Sequence, residues 1–203
     1  MSSVLPHFDL GFCTDGDWVA KDTTGKLSVL RQGCDIRVAG ADESSSPEID
    51  VLFTGIGDGG GVVREHFVRS MRTTYGARFH HSPNGIHGRE LRQLVANSKV
   101  VVCPPSPVTQ KYWSNRIYLM AGFGGCVVHP FCADLEKEYI WGEHVSYYTT
   151  QKEMEEEIDY LLSNSVERRS LSSAALERTL ASYTYTDRCR DLVARVEQYR
   201  SSQ

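Results

Sequence analysis

Long hydrophobic runs are missing from this chain: nowhere do its 203 residues approach the roughly 18–20 consecutive apolar positions that a membrane-spanning helix needs. The first ten residues, Met1 to Leu10, also lack the basic region and apolar stretch of a secretion signal. The expectation is a soluble, cytoplasmic chain with no membrane partner. A surplus of positive charge is missing too. With 22 Lys plus Arg against 26 Asp plus Glu, the net charge of −4 leaves no bulk field for wrapping nucleic acid, although a local basic patch is compatible with it. Cysteine pairs are absent as well. Cys13, Cys34, Cys103, Cys126, Cys132 and Cys189 form no CxxC, and several lie in apolar runs, so they read as buried free thiols rather than a zinc site or a disulfide framework.

What is present is an alternation of short apolar runs and amphipathic stretches. Polar and small residues from Ala39 to Pro47 (AGADESSSP) form the best linker, which divides the chain into residues 1–47 and 48–203. The first part offers two short strands, His7 to Cys13 and Leu27 to Gln32, too little for a core of its own. After the linker, strands are predicted over Ile49–Thr54, Ala77–His81, Lys99–Cys103, Cys126–His129 and Val145–Tyr148. Helices are predicted between them over Val62–Thr73, Gly88–Asn97 and Ser114–Ala121, with three more closing the chain over Lys152–Ser163, Val166–Ser182 and Tyr185–Arg200. In the last of these, Cys189, Leu192, Val193 and Val196 share one face, which reads as a core face. Continuous apolar strands alternating with helices mean a parallel sheet covered on both sides, the doubly wound α/β class with a Rossmann-like sheet.

Gly55, Gly57 and Gly60 satisfy G-x-G-x-x-G between a predicted strand and a predicted helix, the context of a phosphate-binding loop. A dinucleotide site also wants an acid about 20 residues further on. Here the second strand ends His80-His81-Ser82, which argues against NAD or FAD and against a nicotinamide-dependent reductase. No Gly-Lys-Ser/Thr completes a Walker pattern. His80, His81 and His87 lie close in sequence, but no cysteine or carboxylate joins them at ligand spacing, so no metal is assigned. Asp15-Gly16-Asp17 reads as a turn rather than a metal-binding DxD. The most informative stretch is Cys103 to Pro130, CPPSPVTQKYWSNRIYLMAGFGGCVVHP. A Pro/Ser loop after a buried strand leads to Asn115 and Arg116 at a helix start, where a guanidinium and an amide can bind diphosphate oxygens; the bland alternative is an Arg paired with a surface carboxylate.

SNRIYLMAGFGGCVVHP, with IDVLFTG, HGRELRQLVANSKVVV and ERRSLSSAALERTLASYTYTDRCRDLV, resembles the C-terminal half of the group 1 GT-B glycosyltransferases, most of all their spore-maturation-protein-like branch, which also occurs in bacteriophage genomes. The resemblance covers about Glu48 to Gln198. It implies a Rossmann-like domain that holds a nucleotide-sugar donor, UDP- or GDP-linked, as co-substrate without an essential metal. Carried over by position, Gly55 and Gly57 face the donor phosphates, Ser82, Asn84 and Gly85 lie by the nucleoside, and Ser106, Asn115 and Arg116 lie beside the diphosphate and sugar. Tyr118, Gly124 and Gly125 belong to the same block, and Asn115 and Arg116 are the catalytic candidates. Two departures stand out. Lys111 and Leu119 occupy the positions of a glutamate pair found in many relatives, and the cations usual after the first strand are missing, Arg64 being the nearest. The first 47 residues resemble only a remnant of the acceptor-side domain, so the acceptor surface is expected from that remnant, a homodimer partner or a separately encoded domain. The acceptor is open, and a modified nucleobase in phage DNA is one class the resemblance allows. The alternative is a non-catalytic Rossmann-like module that binds a nucleotide or a protein.

Overall fold

The computed structural model describes residues 7–42, 46–56, 62–83, 85–104 and 110–202. A five-stranded, wholly parallel sheet forms the centre of the molecule. Its strands are β3 (Ile49–Thr54), β4 (Phe79–Ser82), β5 (Ser98–Val102), β6 (Val127–Pro130) and β7 (Ser146–Tyr148), in the spatial order β4-β3-β5-β6-β7. The registers pair Thr54 with Ser82, Leu52 with Val101, Val102 with Val128, and His129 with Tyr147. Val51, Leu52, Phe53 and Val100 to Val102 are fully buried, as strands covered on both faces must be.

The helices divide between those faces. On one side α2 (Val62–Tyr75) and α6 (Gln151–Ser163) supply Val68, Met71, Met154, Ile158 and Leu161 against Val51, Phe53 and Val100. On the other, α3 (Gly88–Ala96) and α4 (Arg116–Gly122) bring Leu91, Val95, Ile117 and Met120 against Leu52, Val101 and Val127. The chain passes from β3 out to β4 through α2, then returns through α3 to β5 on the far side of β3. That reversal places the topological switch point between β3 and β5, where open α/β sheets bind ligands at the carboxyl edge. The expected doubly wound Rossmann-like domain is thus what the chain forms.

Three features differ in detail from the sequence expectations. Two short helices, α1 (Gly16–Val19) and α5 (Leu135–Glu138), occupy stretches read as turns or left unassigned. Asp15 caps α1 by accepting from Asp17 N at 2.8 Å, so this Asp-Gly-Asp is a capping turn. The closing helix α8 (Tyr185–Ser201) buries no residue: Leu192 is 37% and Val193 50% exposed, and Cys189 is exposed. Both sheet faces are already covered, in part by α7 (Ser165–Ser182), which adds Leu171 to one core and Ala175 to the other. No apolar surface of the sheet is left for α8. Four of the six free cysteines are buried, while Cys13 is half-buried. Helix α6 opens on a capping box in which Thr150 Oγ1 accepts from Glu153 N and Glu153 Oε2 accepts from Thr150 N, both at 3.2 Å.

The N-terminal segment is stitched onto this unit. Its strands β1 (Gly11–Cys13) and β2 (Leu27–Val29) pair in parallel as a separate two-stranded sheet. Cys34 N donates to Tyr183 O at 2.8 Å and Tyr185 N donates to Cys34 O at 2.9 Å, so Cys34 lies between α7 and α8 like a short strand. The fit is close: a Cβ built on Gly122, near the end of α4, would stand 2.4 Å from Cys34 Sγ. An alanine in a helix is ordinarily better than glycine by up to about 1 kcal/mol. Gly122→Ala is nevertheless expected to lower stability by roughly 1–3 kcal/mol through overpacking, and Cys34→Ala in the same chain to restore most of the loss. A double-mutant cycle in denaturant melts measures this coupling; additive effects would show that the contact is not what limits position 122.

Candidate functional site

The carboxyl edge of the sheet around the switch point is built by the ends of β3 and β5 and the start of α4. Arg116, the first residue of α4, reaches back across that edge. Its guanidinium lies 5.4 Å from the centroid of the Phe53 ring, and Nη1 donates to Pro104 O at 3.4 Å. Gly55, directly after β3, borders it closely. A Cβ there would fall 2.5 Å from Arg116 Nη2, and the backbone φ of +135° is one that side chains rarely tolerate. Phe53 itself is buried, set edge-on to Phe67 at 5.2 Å and stacked with His81 at 5.2 Å. His81 Nε2 donates to Gly55 O at 2.8 Å, and Gly55 N donates to Ser82 O at 2.9 Å, so β4 fixes the glycine from its other side.

A second guanidinium stands at the same edge. Arg64, in the first turn of α2, donates from Nη1 to Ile56 O at 3.2 Å, while its Nε is buried without a hydrogen-bond partner among the described residues. Burial pushes the Arg64 pKa down, and the neighbouring Arg116 charge pushes it further. Two cations that repel one another beside backbone carbonyls, one with an idle donor, make a place suited to an anion. Arg64 is the cation the sequence marks as nearest to the glycine loop; its closeness to Arg116 is visible only in three dimensions.

The structure sorts the expected site residues into three groups. Gly55, Ser82, Gly85, Asn115 and Arg116 all lie at the carboxyl edge. Asn115 precedes α4 and its side chain makes no capping hydrogen bond; Ser82 is buried, with its hydroxyl donating to Pro83 O at 3.4 Å; Gly85 has open space around it at a φ of +121°. Gly57, Asn84 and Ser106 lie outside the described residues. Tyr118, Gly124 and Gly125 are not brought to the site. Tyr118 points into the core, where its hydroxyl donates to Glu138 Oε2 at 2.6 Å and accepts from Trp113 Nε1 at 2.8 Å, and burial holds its pKa well above the usual phenol range. Gly124 and Gly125 precede β6 at the amino edge, packed close to Ala41 and Val95 respectively. Small residues are required there by contact.

His129, near the carboxyl end of β6, completes the surroundings. The ring is fully buried, Nδ1 donates to Pro130 O at 2.7 Å, and Nε2 has no partner among the described residues. Burial, with a smaller contribution from the Arg116 charge, lowers its pKa from 6.5 to about 4, so the ring is neutral at pH 7. Cys103, at the end of β5, is pushed up to about 12 by burial and stays a thiol. The depressed histidine has a defined consequence for acid stability. Between pH 6.5 and 4 the unfolded chain takes up a proton that the folded ring refuses, so stability present above pH 6.5 is lost as the pH falls. The loss approaches roughly 3 kcal/mol at the acid end. Urea melts from pH 7.5 to 4 are expected to show this fall in the natural chain and a shallower one in His129→Gln; equal slopes would mean the ring titrates normally.

Among the described residues no group of three or more His, Cys, Asp or Glu could hold a metal ion, and no helix is long and apolar enough to cross a membrane. Comparison with solved structures finds the same fold in several proteins. Sucrose-phosphate synthase from Thermosynechococcus elongatus superposes with a TM-score of 0.72 at 13% identity, covering 99% of this chain and 61% of that one. Anabaena Alr3699/HepE, in complex with UDP and glucose, gives 0.73 at 11% identity, covering 94% of this chain and 63% of its own. A glycosyltransferase from Rickettsia africae gives 0.68 at 8% identity, covering 100% and 68%. The chain thus spans about three fifths of the first two, with the fold of the C-terminal half of a GT-B protein. No curated protein matches the sequence. One family model does, over residues 64–194, which is more than half of the chain. That span takes in α2 with Arg64, the strands from β4 onward and α4 with Arg116, and the chain belongs to the glycosyl transferase-like family.

Proposed function

We propose that this chain is the donor-binding part of a sugar transferase, in which Arg64 and Arg116 hold the diphosphate of a UDP- or GDP-linked sugar over the edge between β3 and β5. The observation that carries the reading is the placement of two guanidiniums at the switch-point edge, Arg116 over Phe53 and Arg64 on Ile56 O, the half-buried Arg64 having an uncommitted Nε. In the transfer, the bond between the anomeric carbon and the diphosphate oxygen breaks and its electron pair leaves on the diphosphate. The acceptor hydroxyl oxygen bonds to that carbon, and its proton passes to the departing diphosphate oxygen. Arginine charge fixed at the leaving group favours this step because the negative charge grows where the guanidiniums already stand. Asn115 supplies an amide beside them, and Gly57, Ser82, Asn84, Gly85 and Ser106 are the further donor contacts of this reading. Residues 1–47 are read as the end of an acceptor-side domain and residues 48–203 as the donor domain.

The UDP-bound relative supports UDP as the first nucleotide to try. A second reading, a binding module without transfer, is favoured by Lys111 and Leu119, which leave no carboxylate at the positions of the glutamate pair. Charge-assisted hydrogen bonds contribute about 1.5–3 kcal/mol each. Calorimetric titration with UDP is therefore expected to show affinity falling roughly tenfold to a hundredfold in Arg116→Ala and in Arg64→Ala, with no change in Arg195→Ala on the exposed helix α8. Unchanged affinity in both site variants would refute the diphosphate assignment. Release of UDP from UDP-glucose with an acceptor panel separates the transferase from the module.

A further inference from the structure

We propose that a cavity beside the edge strand β7, reaching the carboxyl edge of the sheet, binds a neutral sugar ring. It measures about 290 Å³, near the small end of ligand pockets, and is lined chiefly by Phe131, Glu136, Trp141, Tyr147, Tyr148 and Glu153. Two large aromatics are left open to solvent there, Phe131 at 50% and Trp141 at 62% exposure. The Phe131 ring and the backbone of Trp141 are held in place. Phe131 stands edge-on to Tyr147, with centroids 5.9 Å apart, and its N–H donates to Tyr148 O at 2.8 Å. Trp141 sits in a tight turn closed by Gly142 N donating to Val145 O at 2.9 Å. Exposed aromatic rings present flat apolar faces, and aromatic side chains have little rotamer freedom to lose.

The polar groups narrow the ligand further. The Tyr147 hydroxyl is committed to Tyr139 O at 2.8 Å, and Glu153 Oε2 already accepts from Thr149 N at 2.7 Å, the Thr149 hydroxyl at 2.6 Å and Thr150 N at 3.2 Å. Glu136 differs: its Oε2 is buried without any hydrogen-bond partner among the described residues. A buried carboxylate oxygen left idle is an acceptor waiting for a donor. The lining contains two carboxylates and no Lys or Arg, so it repels phosphate and the nucleic-acid backbone, the reverse of the Arg64–Arg116 site. A pyranose meets these demands, since its C–H faces lie on aromatic rings and its hydroxyls donate to carboxylates. Strands β5 and β7 are two places apart in the sheet, which puts the cavity on the order of 10 Å along the edge from the diphosphate site. Assigning this ring to the sugar acceptor rests on the donor reading above; the binding of a sugar does not.

Saturation-transfer NMR on the whole chain tests the proposal, with the methyl glycosides of glucose, galactose, mannose and N-acetylglucosamine as probes and uridine as comparison. Ring C–H protons of at least one glycoside are expected to take up saturation, to lose it in Trp141→Ala, and to lose at least half of it in Glu136→Gln. Because Trp141 is exposed, the alanine variant is expected to fold, which an unchanged circular-dichroism spectrum and thermal melt verify independently of UDP. Silence from all four glycosides, saturation undiminished in Trp141→Ala, or a Trp141-dependent signal from uridine instead would each overturn the proposal. Glycoside binding without UDP binding would sink the donor reading and leave this one standing.

Discussion

Everything at the candidate site depends on one close approach: the Arg116 guanidinium passes over Phe53 and against Gly55, where a side chain would force it to shift. That approach is possible only because β3 and β5 are neighbours, so the residues leaving the first and third strands of the sheet meet at one point. The same point receives Arg64 from the first turn of α2. Two positive charges drawn together cost electrostatic free energy, and a protein tolerates such an arrangement where an anion is to be received.

The interior behind this edge keeps α4 from shifting. Tyr118 on its inner side is tied to Trp113 and Glu138, and Arg188 of α8 comes within 3.5 Å of the same Glu138 carboxylate. At the far end of α4, Gly122 is pressed against Cys34, which is itself hydrogen-bonded between α7 and α8. The N-terminal segment therefore acts as a buttress for the helix that carries Arg116. Arg31 adds to this, lying 3.6 Å from the centre of the Trp113 ring and donating to Lys111 O at 3.0 Å. The fold and the site are thus linked through α4.

Much of this was legible in the residues. Apolar runs such as Val100 to Val102 and the four- and three-residue steps of Met154, Ile158 and Leu161 mark strands and helices because burial selects those patterns. The four-residue helices α1 and α5 left no such period to read. The apolar stripe of α8 misled, because a stripe tells which face is apolar and not whether a surface remains to cover it. At the site, Arg116 was legible from its place after a strand and a Pro/Ser loop. Gly124 and Gly125 were not separable from a ligand loop, since glycines serve close packing and phosphate approach alike. His129 and the pairing of Arg64 with Arg116 come from strand order, which no local pattern encodes.

The central claim is that the two guanidiniums share one diphosphate, and a crystal structure of the chain with UDP tests it most directly. The account predicts phosphate oxygens within hydrogen-bond distance, about 2.7–3.2 Å, of both Arg64 and Arg116 at the carboxyl ends of β3 and β5. A diphosphate bound elsewhere, or one that touches neither arginine, would contradict it.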